Sequence, residues 1–183
     1  MKNYSTIGIC CFLCFVFAAM VYFTGCSRKS DIRSAESTTL DLMSKFETVN
    51  SSPSVTRFHR NFPVIRNGER RDTLTVVAPL TIRTYLHDVS TQMTLEGFVA
   101  PVFNIGDGIQ MQICLKRGRR LRLVASGYFD PGRNAEDRKW VPIKIPLNPE
   151  EGDQLEIQVT PGPQGDSVAD WLAFSCLRLA TKQ

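Results

Sequence analysis

Histidine is nearly absent: only His59 and His87 occur in 183 residues. They stand in separate segments, and neither neighbours a G-x-S-x-G elbow or a reactive-cysteine motif, so nucleophilic catalysis lacks its usual base. Cysteine is scarce where it would matter. Four of the six cysteines (Cys10, Cys11, Cys14 and Cys26) precede residue 27, leaving Cys114 and Cys176 in the body of the chain. With no ligand spacing between these and the two histidines, a zinc site has no support. A phosphate-cradling glycine loop is missing too, since Gly106-Asp107-Gly108 reads as a hairpin turn by its Asp-Gly pair. The formal charge of +4 is spread out, with no dense basic stripe carrying interleaved aromatics, which argues against nucleic acid as a partner. Paired carboxylates occur at Glu136-Asp137 and Glu150-Glu151, but both flank turns, where solvated charge is the default. Nothing here assembles an enzyme.

What is present begins with a tether. Lys2 is the sole charged residue before Arg28, and Ile7 to Phe23 carries no charge. A positive start followed by an apolar run is the pattern of a secretion signal. The next residues, Phe23-Thr24-Gly25-Cys26, resemble the lipobox of bacterial lipoproteins, although Phe23 stands where leucine is usual. The resemblance implies removal of residues 1–25 and a diacylglyceryl group on the Cys26 thiol. An uncleaved membrane anchor is the alternative, and either way the chain is held at a membrane. Residues 26–56 are polar and rich in serine and threonine. Within them Ile32, Ala35, Thr39, Leu42, Met43, Phe46 and Val49 follow three- and four-residue spacing, with Thr38 and Asp41 as a capping box. The segment reads as a stalk with one short amphipathic helix.

From about residue 57 onward the pattern changes to period two. Leu74–Val77, Thr81–Leu86, Met93–Val99, Ile109–Leu115 and Leu121–Ala125 are strand-like, with Pro79 bending the chain between the first two. Three further runs follow: Val141, Ile143, Ile145 and Leu147; then Leu155, Ile157 and Val159; then Trp171 to Leu179. Gly, Pro, Asn and Asp clusters separate them. Strand after strand without a long helix between predicts an all-β antiparallel sandwich over 57–183. Cys114 and Cys176 both fall in strands and are expected to be buried, unbridged thiols.

The segment resembles the galactose-binding-like jelly-roll domain of bacterial surface and glycan-associated proteins. The matching residues are Phe129-Asp130-Pro131, Arg138 and Trp140, Gly152 and Leu155, Pro161-Gly162-Pro163, Gly165-Asp166 and Asp170-Trp171. Gly97 and the Gly106-Asp107-Gly108 turn extend the match over roughly residues 70 to 180. The resemblance implies a jelly-roll fold and a glycan or envelope-polymer ligand; an envelope protein partner is the alternative. Arg138, Trp140 and Tyr128 are the ligand-binding candidates, because aromatic faces stack on sugar rings and arginine donates to hydroxyls. Asp166 and Asp170 are the metal candidates, for the structural calcium that domains of this superfamily often hold; a hydrogen-bonded turn is the competing reading. No other cofactor is implied. Trp171, followed by Leu172 and Phe174, is expected in the core.

Overall fold

Strands form wherever apolar and polar residues alternate, and the buried sides of two sheets then face each other. The computed structural model describes residues 39–49, 57–90, 92–165 and 169–181, all within the compact unit Ala35–Gln183. In chain order the strands are β1 (Thr39–Asp41), β2 (Glu47–Val49), β3 (Phe58–Arg66), β4 (Glu69–Val77), β5 (Leu80–Tyr85), β6 (Met93–Pro101), β7 (Ile109–Arg117), β8 (Arg120–Phe129), β9 (Val141–Leu147), β10 (Gln154–Pro161) and β11 (Trp171–Thr181). One sheet has the order β3-β4-β11-β6-β9, with β1 also pairing β11; the other has β2-β5-β10-β7-β8. Every pairing is antiparallel. The chain is an all-β antiparallel sandwich, as its alternation predicts.

Leu74, Val76, Leu95, Leu172 and Phe174 of the first sheet and Ile82, Ile113, Leu155 and Ile157 of the second are fully or almost fully buried in one cluster. Each such side chain contributes about 1.5–3 kcal/mol relative to exposure. The phase of β11 changes midway. Leu172 and Phe174 point inward, yet so do Leu177 and Leu179, which is the opposite parity. A bulge between Ser175 and Arg178 absorbs the extra residue, with Cys176 in the left-handed region at φ 54°. Gly97 sits across from it, where a Cβ would lie 2.9 Å from Leu177 Cδ2 and 3.0 Å from the Ser175 carbonyl oxygen.

That bulge corrects one expectation. Cys114 is a buried free thiol, but Cys176 is free and exposed, because the extra residue turns its side chain outward. A second correction concerns residues 39–49, expected within the helical stalk. They form β1 and β2, and Leu42 and Phe46 are fully buried in the sandwich core. The turn between them, closed by the Lys45 N–H donating to the Leu42 carbonyl at 3.0 Å, places residues four apart on one side as a helix would. Edge pairing with β11 and β5 supplied backbone partners that a helix would have found internally. Residues 32–38 of the expected helix, the apolar run and Cys26 lie outside the described residues.

The β3–β4 hairpin is an arm. Only Leu74–Val77 of β4 pairs with β11, because β1 takes the rest of that edge. A second bulge, between Arg60 and Phe62, bends β3, with Asn61 at φ 55°. The free half of the hairpin then folds across the outer face of the first sheet. Arg66 Nε donates to the Pro101 carbonyl at 2.6 Å, and the Arg71 guanidinium lies 3.7 Å from the Phe98 ring centre. Under this arm Val64, Thr73, Ala100 and Ser175 are buried although they face away from the main core.

Candidate functional site

Where the arm leaves the sheet, aromatic rings gather around Trp171. Parity decides this. With Leu172 and Phe174 inward, Trp171 must face outward, and it is half-buried there rather than in the core. The expectation of a core Trp171 is therefore wrong: the apolar neighbours fix the strand's phase, and size alone does not. Its backbone is held firmly. The Val102 N–H donates to the Trp171 carbonyl at 2.8 Å and the Trp171 N–H to the Ala169 carbonyl at 2.9 Å. Beside it the buried Asp170 accepts from the Gly162 N–H at 3.4 Å, and its carbonyl accepts the Ala78 N–H at 2.9 Å.

The His59 ring stacks on Trp171 at 5.5 Å with 10° between planes. Phe103, from the β6–β7 loop, meets Trp171 edge-on at 5.5 Å. Phe62 lies 6.3 Å from Trp171 and 6.1 Å from His59. Phe62 and Phe103 remain 37% and 39% exposed, and Ile105 is 64% exposed. Such a row offers ring faces and edges to an apolar surface, and the His59 imidazole supplies a polar edge among them. Three chain segments distant in sequence build it: β3, the β6–β7 loop and the start of β11.

Arg138, Trp140 and Tyr128 do not converge on one surface. Arg138 Nε and Nη2 donate to the Pro131 and Gly132 carbonyls at 2.7 and 3.2 Å, so its guanidinium braces the turn before β9. Trp140 lies on the outer face of the first sheet, as its parity predicts. Its Nε1 donates to the Glu69 carbonyl at 3.2 Å, and the Arg71 guanidinium sits 5.4 Å from its ring. Tyr128 is on β8, 50% exposed, and its hydroxyl donates to the Asp107 carbonyl at 2.7 Å. Desolvation first, then the Asp130 and Asp107 carboxylates, push this phenol above its ordinary pKa, so it stays a neutral donor. Gly108 permits that contact: a Cβ there would stand 2.1 Å from Tyr128 Oη.

The acidic loop is knit by its own backbone. Asp107 Oδ2 accepts the Gln164 N–H at 2.5 Å, and Asp170 accepts from Gly162 as described. Asp166 lies outside the described residues. Among those described, no group of three His, Cys, Asp or Glu side chains is placed to hold a metal ion.

His59, Phe62 and Phe103 were missed in the sequence because nothing local joins them. One signal was available: the opposite parity of Leu172–Phe174 and Leu177–Leu179 requires a bulge and puts Trp171 outside.

A two-sheet jelly roll with an aromatic row on an outer face is the class that fold and site define. The comparisons with known proteins narrow the fold further. No protein-family model matches the chain. Over 68 residues it is 35% identical to an uncharacterized protein of Archaeoglobus fulgidus, a match taking in 36% of this chain and 17% of that protein. Among solved structures it is similar to the CBM51 from Clostridium perfringens GH95 in complex with methyl-galactose, with TM-score 0.57 and 17% identity over 78% of this chain and 99% of that one. It is also similar to the CBM22-1 xylan-binding domain from Paenibacillus barcinonensis Xyn10C, at TM-score 0.51 and 12% identity over 80% and 94% of the two chains. The xylan-binding module CBM15 matches at TM-score 0.51 and 11% identity over 80% and 97%. The structural neighbours are carbohydrate-binding modules, and what the chain shares with them is the jelly-roll fold.

Proposed function

We propose that this protein is a carbohydrate-binding module held at a membrane outside the cytoplasm, and that the aromatic row at Trp171 receives the sugar. The observation that carries the reading is the half-exposed Phe62–His59–Trp171–Phe103 row on a fold shared with carbohydrate-binding modules. The C–H faces of a pyranose are apolar and match aromatic rings, while its hydroxyls seek donors and acceptors such as the imidazole of His59. Binding rather than turnover is the role, in keeping with the carbohydrate-binding modules that share the fold. The tether is Cys26, lipid-modified after removal of residues 1–25. With Ser27 following it, a cell with two membranes sorts the protein to the outer one.

The test is a glycan array probed with the full chain, beside its Trp171→Ala and Trp140→Ala variants. Binding to neutral polysaccharides or oligosaccharides is expected for the full chain and for Trp140→Ala, and is expected to fall about tenfold or more in Trp171→Ala. Retained binding in Trp171→Ala would move the site elsewhere.

A further inference from the structure

The register places a second feature at the far end of the sandwich. Ile109 pairs with Pro161, near the loop that enters β11, whereas Lys116 pairs with Gln154. The β7–β8 hairpin and the β9–β10 loop therefore meet at the opposite end from the loop that carries Trp171. Between them lies a cleft of about 380 Å³ whose walls carry Arg117, Arg120, Arg122, Asn148, Glu150 and Asp153.

Its charges are unevenly matched. Asp153 is 2% exposed and accepts Arg117 Nε and Nη2 at 2.9 Å each, along with the Glu150 N–H at 2.9 Å. Glu150 Oε1 lies 2.6 Å from Arg117 Nη1. Both carboxylates of the cleft thus pair directly with one arginine, while Arg122 acts on Asp153 only through its field. Among the described residues no carboxylate lies within salt-bridge reach of Arg120 or Arg122. Both arginines are exposed, and each keeps a planar fork of donors for an oxyanion.

We propose that this cleft binds the oxyanion of an acidic sugar, a uronate carboxylate or a sulfate ester, through Arg120 and Arg122. The polymer class rests on the proposed glycan function, but the cleft shares no residue with the Trp171 row. An anionic bilayer is the competing partner, and strand geometry disfavours it. Arg120 and Arg122 share the cleft side with Leu115, to which Arg122 is paired. Leu121 and Leu123, 51% and 55% exposed, alternate with them and point the other way. Lys116 shares the face of Leu121, but its Nζ lies 3.3 Å from Glu156 Oε1. Arg120 and Arg122 thus face away from the exposed leucines, and the one lysine beside these is already paired.

Calorimetric titration of the full chain with trigalacturonate, and separately with a sulfated disaccharide, tests this. Binding of at least one is expected, weakened at least about tenfold in Arg120→Gln/Arg122→Gln, because charge-assisted hydrogen bonds are lost. Lys45→Gln/Arg70→Gln removes the same charge elsewhere and is expected to bind as the parent does. Trp171→Ala is expected to keep its affinity for the acidic probe. If neutral glycans fail to bind while the acidic probe still does, only the Trp171 reading falls. The proposal is overturned if neither probe binds, if the two double variants lose equally, or if phosphatidylglycerol vesicles bind through these arginines and the sugars do not.

Discussion

At the scale of the residue, two aromatic side chains three apart on β11 have different roles. Phe174 is fully buried in the core, whereas Trp171 faces outward against His59 and Phe103. Phe174→Ala is expected to cost about 3–5 kcal/mol, the range for an aromatic deleted from a packed core. Trp171→Ala, with its ring only partly buried on the outer face, should cost about 1–2 kcal/mol. Urea melts of the two variants check the order, and a larger loss for Trp171→Ala would return that ring to the core. The cysteines offer a second test. Burial, with the Glu156 carboxylate beside it, raises the pKa of the Cys114 thiol, while Cys176 is exposed on its bulge. Iodoacetamide on the native protein should modify Cys176 and leave Cys114 unmodified until denaturant is added. Mass spectrometry of the peptides reads the outcome, and early labelling of Cys114 would contradict the strand packing.

At the scale of the element, Asp153 ties three segments together. Its carboxylate holds Arg117 at the end of β7, its carbonyl accepts the Leu86 N–H at 2.8 Å, and its N–H donates to the Glu150 carbonyl at 3.0 Å. The Arg117 hydrogen bonds hold its pKa below the ordinary carboxylate value. A folded-state pKa below the unfolded one stabilises the fold fully above the ordinary aspartate range, about pH 4, and that contribution is lost as pH falls through the depressed value. Denaturation midpoints should therefore decline below about pH 4 in the parent. Asp153→Asn should start lower at neutral pH and decline less on acidification, and an unchanged acid slope would remove Asp153 from the account. The elements themselves were largely legible. Eight strands from Glu69–Val77 to Trp171–Thr181 appear where alternation puts them, most with longer ends, Leu80–Tyr85 shifted by one residue and Val141–Leu147 as expected. Thr39–Val49 was not, because Leu42 and Phe46 repeat at a spacing that a tight turn and a helix share. The arm was not legible either, since its displacement depends on β1 occupying the edge of β11.

At the scale of the whole molecule, the tether proposed at Cys26 would govern where any ligand can be met. Cys26→Ser is expected to leave unprocessed precursor and to abolish metabolic labelling with fatty acid; persistent label would remove the lipid anchor. By itself the sequence determined the all-β class and the positions of the strands from β4 onward, because period-two burial and turn chemistry are local and survive reading in one dimension. Tertiary structure decided which face each aromatic occupies. The bulge at Cys176 sets the phase of β11, the bend at Asn61 brings His59 and Phe62 over it, and the β6–β7 loop delivers Phe103. It likewise decided that Glu150 and Asp153 both turn to Arg117, so that neither forms a salt bridge with Arg120 or Arg122. Such choices rest on contacts between residues tens of positions apart, and packing, not local propensity, selects among them.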